Sequence, residues 1–225
     1  MNKVKDNGNM YDWVDYTWNP VKGCEHECSY CYLRSMPYFD MTPRFSEKEL
    51  HARHPAAKRF FVGSSCDLFG AWVPRDWILK TLSMCNDMLA TYVLQTKNPG
   101  RFLDFAHLLD ARFILGTTIE SNRDYPISKA PSVSDRALAM SRLPEHITQF
   151  VTIEPILKFD CGEFAHMVLS AKPDFVNIGA DSKRHELSEP DPKKILRLIN
   201  VLEQDTEVRL KHNINRLLQQ QELNM

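Results

Sequence analysis

The chain has 225 residues, of which 43% are hydrophobic and 25% are charged, values typical of one globular domain. Its formal net charge of −1 excludes the overall basic charge that gives nonspecific affinity for nucleic acid. No apolar run approaches a membrane span, and residues 1–9 are polar rather than signal-like, so we expect no membrane partner. Six cysteines without such a signal predict a reducing compartment, the cytoplasm.

The first part of the chain predicts a polar lead, a strand, a loop and a helix. We expect residues 1–12 to be a frayed lead and 13–18 to form a strand, because aromatic and β-branched residues favour strands. The sequence Ser-Glu-Lys-Glu is a capping box and predicts a helix that begins at Ser46. The first strand, a cysteine loop and this helix together occupy residues 13–58.

The rest of the chain alternates apolar runs with helical stripes. The predicted strands are 59–63, 91–95, 112–117, 149–153, 174–178 and 207–210. The predicted helices are 74–90, one capped by Asn98, 132–143, 163–170, one capped by Asp191, and 213–221. Strands separated by helices demand a parallel sheet. The predicted fold is therefore α/β, a partial, open (β/α)6 barrel forming one domain over residues 1–225.

Three closely spaced cysteines form the strongest chemical motif. They are Cys24, Cys28 and Cys31, in the pattern Cys-x3-Cys-x2-Cys. Iron–sulfur clusters are normally held by four cysteine thiolates, so three would leave one iron open to a small molecule. The alternative is a zinc site with His26 as the fourth ligand, although zinc ligand pairs are usually separated by a longer loop.

With an aromatic residue, Tyr30, before its last cysteine, this motif resembles the signature of the radical S-adenosylmethionine (SAM) enzymes. The resemblance implies a 4Fe-4S cluster whose open iron binds SAM, and the same partial barrel. It also implies cleavage of SAM to methionine and a 5′-deoxyadenosyl radical that abstracts hydrogen from a substrate. A reductase such as flavodoxin or ferredoxin would supply the electron.

Polar residues follow the predicted strands, where functional groups gather in parallel α/β folds. Four of them are ionisable: Lys97, Glu120, Glu154 and Asp181. We predict catalytic roles for Lys97, Glu120 and Glu154, whereas the alternative is a ring of salt bridges that only stabilises the barrel. Cys66 and Cys161 lie near predicted strand ends and are candidate hydrogen-atom donors, although buried cysteines are more often small hydrophobes.

The resemblance also implies a SAM site. Ser64 and Ser65 stand where the family has a Gly-Gly-Glu-like segment for the SAM amino group, but the glutamate is missing unless Asp67 replaces it. Thr118 and Glu120 would contact the ribose of SAM. The main chain near Tyr30 would contact its adenine. The Gly-x-Ile-x-Gly-x-x-Glu element of many members does not follow the fifth strand.

A closer resemblance covers most of the chain. It rests on these segments, in order: Thr-Trp-Asn-Pro, Val-Gly-Ser-Ser-Cys-Asp-Leu-Phe, Leu-Gln-Thr-Lys-Asn-Pro, Gly-Thr-Thr-Ile-Glu-Ser-Asn, Thr-Ile-Glu-Pro-Ile-Leu and Asn-Ile-Gly-Ala-Asp-Ser. They resemble the phage-associated branch of radical SAM proteins and, distantly, the spore photoproduct lyases.

The resemblance implies no single activity for the whole phage branch, although some relatives are associated with rearranging an amino-acid group attached to thymine. We therefore predict work in the host cytoplasm on modified thymidine in phage DNA, isomerising an attached amino acid from N-linked to C-linked glycine. One alternative is a lyase that repairs thymine lesions, and another is a non-enzymatic metal-binding module. Small basic groups, Arg209 and Lys211 among them, are predicted to be solvated, with a nucleic-acid patch as the alternative.

Overall fold

The computed structural model describes residues 1–5, 10–183 and 185–219. Its strands are β1 (Asn2–Lys3), β2 (Tyr16–Trp18), β3 (Val21–Lys22), β4 (Arg44–Phe45), β5 (Arg59–Val62), β6 (Thr91–Thr96), β7 (Phe113–Thr118), β8 (Thr148–Ile153), β9 (Phe175–Ile178) and β10 (Glu207–Leu210). Its α-helices are α1 (Arg75–Asn86), α2 (Gly100–Leu103), α3 (Val133–Met140), α4 (Cys161–Ser170), α5 (Pro192–Leu202) and α6 (Asn215–Leu218).

Eight of these strands form one sheet in the order β1-β2-β5-β6-β7-β8-β9-β10. Every pairing from β2 to β10 is parallel, and β1 adds an antiparallel strand beside β2. Within the described residues β1 and β10 do not pair, so the sheet does not close. The predicted parallel α/β sheet is confirmed.

The two faces of the sheet have different coverings, because successive side chains of a strand point to opposite faces. One face packs against the helices, with Phe60, Leu115 and Val176 buried in the main core. The opposite face, here called the inner face, carries a second cluster: Tyr11, Val14, Phe61, Val93, Phe150 and Phe175. At Gly116 a Cβ atom would lie 2.2 Å from the Phe150 ring, so only glycine permits this packing.

The beginning of the chain departs from the prediction. Residues 2–3 form a strand where a frayed lead was expected, and the strand expected over 13–18 begins only at Tyr16. Tyr11 and Val14 are buried against the inner face. Aromatic and β-branched residues favour strands, but they also pack well when a segment without strand structure is buried against a sheet. The local sequence pattern therefore does not distinguish a strand from such a buried segment.

Three helix predictions also need correction. The helix predicted from Ser46 is a 3-10 helix, Glu47–His51, in which Ser46 makes no capping hydrogen bond. Asn98 does not cap α2, because its side chain donates to the Phe69 carbonyl instead. The last helix spans only Asn215–Leu218, and residues 220–221 of its predicted range lie outside the described residues. No helix in the described residues is long and apolar enough to cross a membrane.

Candidate functional site

The cysteines lie in a loop that is closed at its base. Strands β3 and β4 pair antiparallel and bring together the two ends of the segment 23–43. Gly23 has a φ of +86°, and a Cβ there would lie 2.3 Å from the Thr42 carbonyl oxygen. Because other residues rarely adopt this φ and would also collide here, glycine is required. The Gly23 amide donates to the Ser65 carbonyl at 3.0 Å, which joins the loop to the end of β5.

The three thiols share one environment. Cys28 is buried, Cys24 and Cys31 are half-buried, and none forms a disulfide. Burial is the main cause that raises the pKa of Cys24 to about 12, and the nearby Asp67, Cys28 and Cys31 raise it further. A metal centre would stabilise the thiolate form of Cys24, which this environment disfavours.

The surroundings of His26 bear on the zinc alternative. His26 Nε2 lies 2.7 Å from Asp67 Oδ2, and both residues are buried. In the described part of the chain, no three His, Cys, Asp or Glu side chains are grouped to hold one metal ion. Tetrahedral zinc with bonds of about 2.3 Å needs sulfurs roughly 3.8 Å apart, whereas a cluster binds each thiolate to a different iron.

Further contacts fix the cysteine loop over the carboxyl ends of the strands. The Ser29 amide donates to the Ile127 carbonyl at 2.9 Å, and the Lys129 amide donates to the His26 carbonyl at 2.7 Å. The Tyr32 hydroxyl donates to the Ser64 carbonyl at 2.5 Å. The loop is therefore tied to segments that follow both β5 and β7.

Four side chains form a buried ionic group, here called the Glu120 cluster: Tyr30, Lys97, Glu120 and Arg136. Glu120 Oε1 accepts from Lys97 Nζ at 2.6 Å and from the Tyr30 hydroxyl, while Oε2 accepts from Arg136 Nη1 at 2.9 Å. Burial alone raises the pKa of Glu120, but the charges of Lys97 and Arg136 and the hydrogen bonds from Lys97 and Tyr30 outweigh it and lower the pKa to about 2. The cluster joins the cysteine loop to β6, β7 and α3.

A second group, here called the Glu154 cluster, consists of Glu154, Lys211 and Asn213. Glu154 Oε2 lies 2.6 Å from Lys211 Nζ, and Oε1 accepts from Asn213 Nδ2 at 2.7 Å. Gly179 packs against the cluster, since a Cβ there would lie 2.9 Å from Glu154 Oε1. The prediction that Lys211 is merely solvated is wrong, because its side chain is only 12% exposed.

The serines predicted to bind SAM are held by Asn19 at the end of β2. Asn19 Oδ1 accepts from the Ser65 amide at 2.8 Å, and Asn19 Nδ2 donates to Ser64 Oγ at 3.1 Å. Ser65 Oγ is buried without a hydrogen-bond partner in the described residues. Thr118 is buried, and its Oγ1 accepts from Gln95 Nε2 at 3.0 Å.

Other predicted residues lie elsewhere or are fully engaged. Cys66 follows β5 and pairs with Gly23 in an isolated bridge, so it does lie beside the cysteine loop. Cys161 begins α4, after the connection that follows β8, and it packs against the main core. Asp181 accepts from the Lys183 amide and from His185 Nδ1, so its carboxylate is occupied in shaping its own loop.

The inner face also borders a cavity of about 1210 Å³, lined mainly by β9, β10 and the segment 10–13. Lys211 and Asn213 of the Glu154 cluster belong to its wall. Beside it, the buried Tyr11 hydroxyl lies 2.7 Å from Gln95 Oε1 and 2.6 Å from Thr152 Oγ1. The cavity therefore reaches the carboxyl ends of β9 and β10.

Three residues of this region were missed by sequence reasoning: Tyr11, Asn19 and Arg136. Tyr11 fell in the expected polar lead, and Arg136 on a helix where an arginine usually faces solvent. Asn19 stood within the recognised segment Thr-Trp-Asn-Pro, which was the one available signal. Arg136 reaches Glu120 across 16 residues of sequence and Tyr11 reaches Gln95 across 84, so no local pattern predicts these contacts.

Comparison with solved structures identifies the fold. A mutant of spore photoproduct lyase matches with a TM-score of 0.64 at 15% identity, over 94% of this chain and 80% of that one. A double mutant of that lyase with bound AdoMet and dinucleoside spore photoproduct gives 0.62 at 16% identity, over 91% and 78%. Native anSMEcpe with bound AdoMet gives 0.51 at 10%, over 87% and 63%. At these identities the likeness concerns the fold, which is of the radical SAM type.

The family follows from a separate comparison. The chain belongs to the family described as "Protein of unknown function (DUF5131)", whose model matches residues 9–187. A search of the curated proteins found no match.

Proposed function

We propose that this chain is a radical SAM enzyme whose 4Fe-4S cluster is held by Cys24, Cys28 and Cys31. The observation that carries the proposal is the closed, anchored loop that places three thiols over the carboxyl ends of a parallel sheet. When bound, the cluster and SAM supply a 5′-deoxyadenosyl radical for hydrogen abstraction. The chain's own residues provide position and shelter. Flavodoxin or ferredoxin is the proposed electron donor.

The SAM site is proposed from residues next to the loop. Ser65 Oγ is buried and has no partner among the described residues, so we assign it to the polar end of SAM, and Asn19 fixes the turn that carries it. Thr118 and the Glu120 cluster bound the site on the side of β7. Because Glu120 already accepts from three donors, we assign it and Lys97 to holding Tyr30 and the loop.

The proposed substrate is a thymine-derived nucleotide. Its support is the cavity beside the Glu154 cluster, together with the dinucleoside spore photoproduct named in a structure of similar fold. Lys211 lines the cavity and pairs with Glu154 directly behind it, and these opposite charges can hold the carboxylate and ammonium of an attached amino acid. This favours isomerisation of glycine attached to thymine in phage DNA. Cys66, beside the cysteine loop, is the proposed hydrogen-atom donor.

A second reaction, cleavage of a thymine lesion, is kept because of the same structural likeness. The two reactions need different substrates, phage DNA that carries the modified thymidine and ultraviolet-irradiated DNA. In either reaction the target base must leave the DNA stack to reach the interior of the protein. Flipping it out of a duplex costs a few kcal/mol of unstacking and unpairing free energy.

The test is anaerobic. The protein is reconstituted with iron and sulfide, given SAM and dithionite, and assayed for 5′-deoxyadenosine by mass spectrometry with each DNA. The triple variant Cys24→Ala, Cys28→Ala, Cys31→Ala is the control. We expect deoxyadenosine only with the intact cysteines, and more of it with the true substrate. A fully formed cluster that yields none with either DNA would contradict the proposal, and uptake of zinc in place of iron would favour a metal-binding module.

A further inference from the structure

The cavity on the inner face runs the height of the sheet. Its wall includes Arg59 and Thr148 at the beginnings of strands, and Lys183 and Asn213 beyond their ends. A volume of about 1210 Å³ exceeds what a single small molecule needs, since ordinary ligand pockets measure about 300–1,000 Å³. A nucleotide with part of its strand fits such a space.

Two hydrogen-bond donors in this wall have no acceptor within the described residues. Asn177 lies on β9 and is 1% exposed, yet its Nδ2 is unpartnered. Trp13 Nε1 is likewise buried without a partner. Both residues line the cavity. Buried donors are nearly always satisfied, so two unsatisfied ones in the same wall indicate a ligand that brings acceptors.

The same wall offers flat surfaces. The Trp13 and Phe175 rings lie 5.4 Å apart, nearly perpendicular to each other. The Arg209 guanidinium lies 3.6 Å from the Phe175 ring centroid, and Glu207 fixes it through two hydrogen bonds of 2.8 and 2.9 Å. Aromatic rings and arginine planes are the surfaces on which nucleobases stack.

The charges of the wall disfavour a bare anion. Its four cations, Arg59, Lys183, Arg209 and Lys211, are accompanied by three carboxylates, Asp12, Asp174 and Glu207. Lys211 is in addition paired with Glu154. A wall so nearly balanced suits a neutral planar group with carbonyl oxygens better than it suits an isolated phosphate.

We propose that Asn177 and Trp13 form the base-reading site of this cavity, and that its ligand is a pyrimidine base with carbonyl oxygens, such as thymine. Trp13 Nε1 donates to one carbonyl, and the Asn177 amide, which both donates and accepts, pairs with a neighbouring carbonyl and ring N–H. Purines and cytosine present other edge patterns and bind less well. The proposal deepens the proposed function and rests on it only for the choice of thymine.

The test measures binding without turnover. Reconstituted protein, without reductant, is titrated with the thymidine dinucleotide TpT and with the adenosine dinucleotide dApA by equilibrium dialysis. Trp13→Phe keeps an aromatic ring but removes the indole N–H together with the five-membered ring, and Asn177→Ser replaces the amide with a shorter hydroxyl. We expect each variant to bind TpT about five- to tenfold more weakly, the effect of one lost hydrogen bond of about 1–1.5 kcal/mol. We also expect Asn177→Ser to reduce the ratio by which the protein binds TpT more tightly than dApA.

Matched controls come from the same chain. Trp72 Nε1 is also buried and has no partner in the part of the chain that the structure describes, but Trp72 packs against His26 and does not line the cavity. Asn200 is exposed on α5. We expect Trp72→Phe and Asn200→Ser to bind TpT within twofold of the unaltered protein. Unfolding midpoints identify any variant that fails to fold, and the other variant then carries the test.

Two outcomes overturn the site: TpT binding no tighter than dApA binding, or folded variants that bind TpT like the unaltered protein. Deoxyadenosine formation together with either outcome would leave the radical function standing without this site. Selective TpT binding that depends on Trp13 and Asn177, without any deoxyadenosine, would leave the site standing without the radical function.

Discussion

The Glu120 and Glu154 clusters place a carboxylate just beyond two neighbouring strands, β7 and β8, but in opposite settings. The Glu120 side chain is 2% exposed and accepts from three donors that belong to the cysteine loop, β6 and α3. The Glu154 side chain is 16% exposed, and its two donors line the cavity. The first arrangement fixes the proposed cofactor site, whereas the second is accessible enough to respond to a ligand.

The difference has an energetic meaning. A buried ion pair gains little over a well-packed apolar pair, yet removing one partner is costly because the other charge stays buried. Removing a partner from a fully enclosed cluster therefore costs much free energy, whereas a partly exposed cluster can exchange its partners at a small cost in free energy. The predictions below separate the two clusters by stability and by ligand binding, beginning with the largest effect.

Glu120→Gln breaks the enclosed cluster. It leaves the charges of Lys97 and Arg136, with side chains 12% and 5% exposed, without their carboxylate. We expect the free energy of unfolding to fall by roughly 3–5 kcal/mol, measured by denaturant titration. Glu207→Gln, at an exposed pair with Arg209, is the control and should leave the midpoint unchanged. Equal midpoints for both variants would show that the enclosure of Glu120 has no energetic consequence.

Acid should reveal the same cluster. The pKa of Glu120 is about 2 in the folded chain, below its usual value of 4.5, so the unfolded chain binds more protons in this range. The stabilisation is present above pH 4.5 and is lost as the pH falls through 2. It amounts to about 3 kcal/mol for a shift of this size. Unfolding titrations between pH 7 and 2 should show a shallower decline for Glu120→Gln, and parallel curves would refute the assignment.

Gly179→Ala targets the half-open cluster. The new Cβ would lie 2.9 Å from both Glu154 Oε1 and Asn213 Oδ1, so these side chains must move. We expect a loss of roughly 1–3 kcal/mol in unfolding free energy and weaker binding of TpT. Gly100→Ala is the matched control, since its Cβ would meet nothing within 4 Å. If Gly179→Ala binds TpT normally, the Glu154 cluster does not shape the ligand site.

A pair of tyrosines gives the smallest and most selective contrast. Tyr30→Phe removes a hydroxyl that is hydrogen-bonded to Glu120. Tyr11→Phe removes a hydroxyl that is hydrogen-bonded to Gln95 and Thr152. Each should cost about 1 kcal/mol of stability. Calorimetric titrations should show weaker SAM binding for Tyr30→Phe and weaker TpT binding for Tyr11→Phe. If both variants lost the same affinity for SAM and for TpT, the two clusters would not belong to separate binding regions.

Much of the sheet was predictable because its strands are continuous apolar runs. The strands from β5 to β10 begin within one residue of their predicted starts, and β10 coincides with the prediction over 207–210. Short segments that depend on distant partners were not predictable. The strand expected over 13–18 was shortened because Val14 is buried on the inner face instead.

The candidate site divides in the same way. The spacing of the cysteines and the polar strand ends placed Lys97, Glu120 and Glu154 correctly at one edge of the sheet. Neither pattern indicated that Arg136 completes the Glu120 cluster or that Asn177 faces a cavity. Both facts depend on which helix or strand lies opposite, and that is fixed by the packing of the whole chain.

The most direct test of the central claim is the spectrum of the metal centre. Anaerobically reconstituted protein is analysed for iron and sulfide, and the dithionite-reduced form is examined by electron paramagnetic resonance before and after SAM is added. We expect about four irons per chain, a signal typical of a reduced 4Fe-4S cluster, and a change of that signal with SAM that is absent in the triple cysteine variant. A cluster that forms equally well without Cys24, Cys28 and Cys31, or a signal that ignores SAM, would contradict the account.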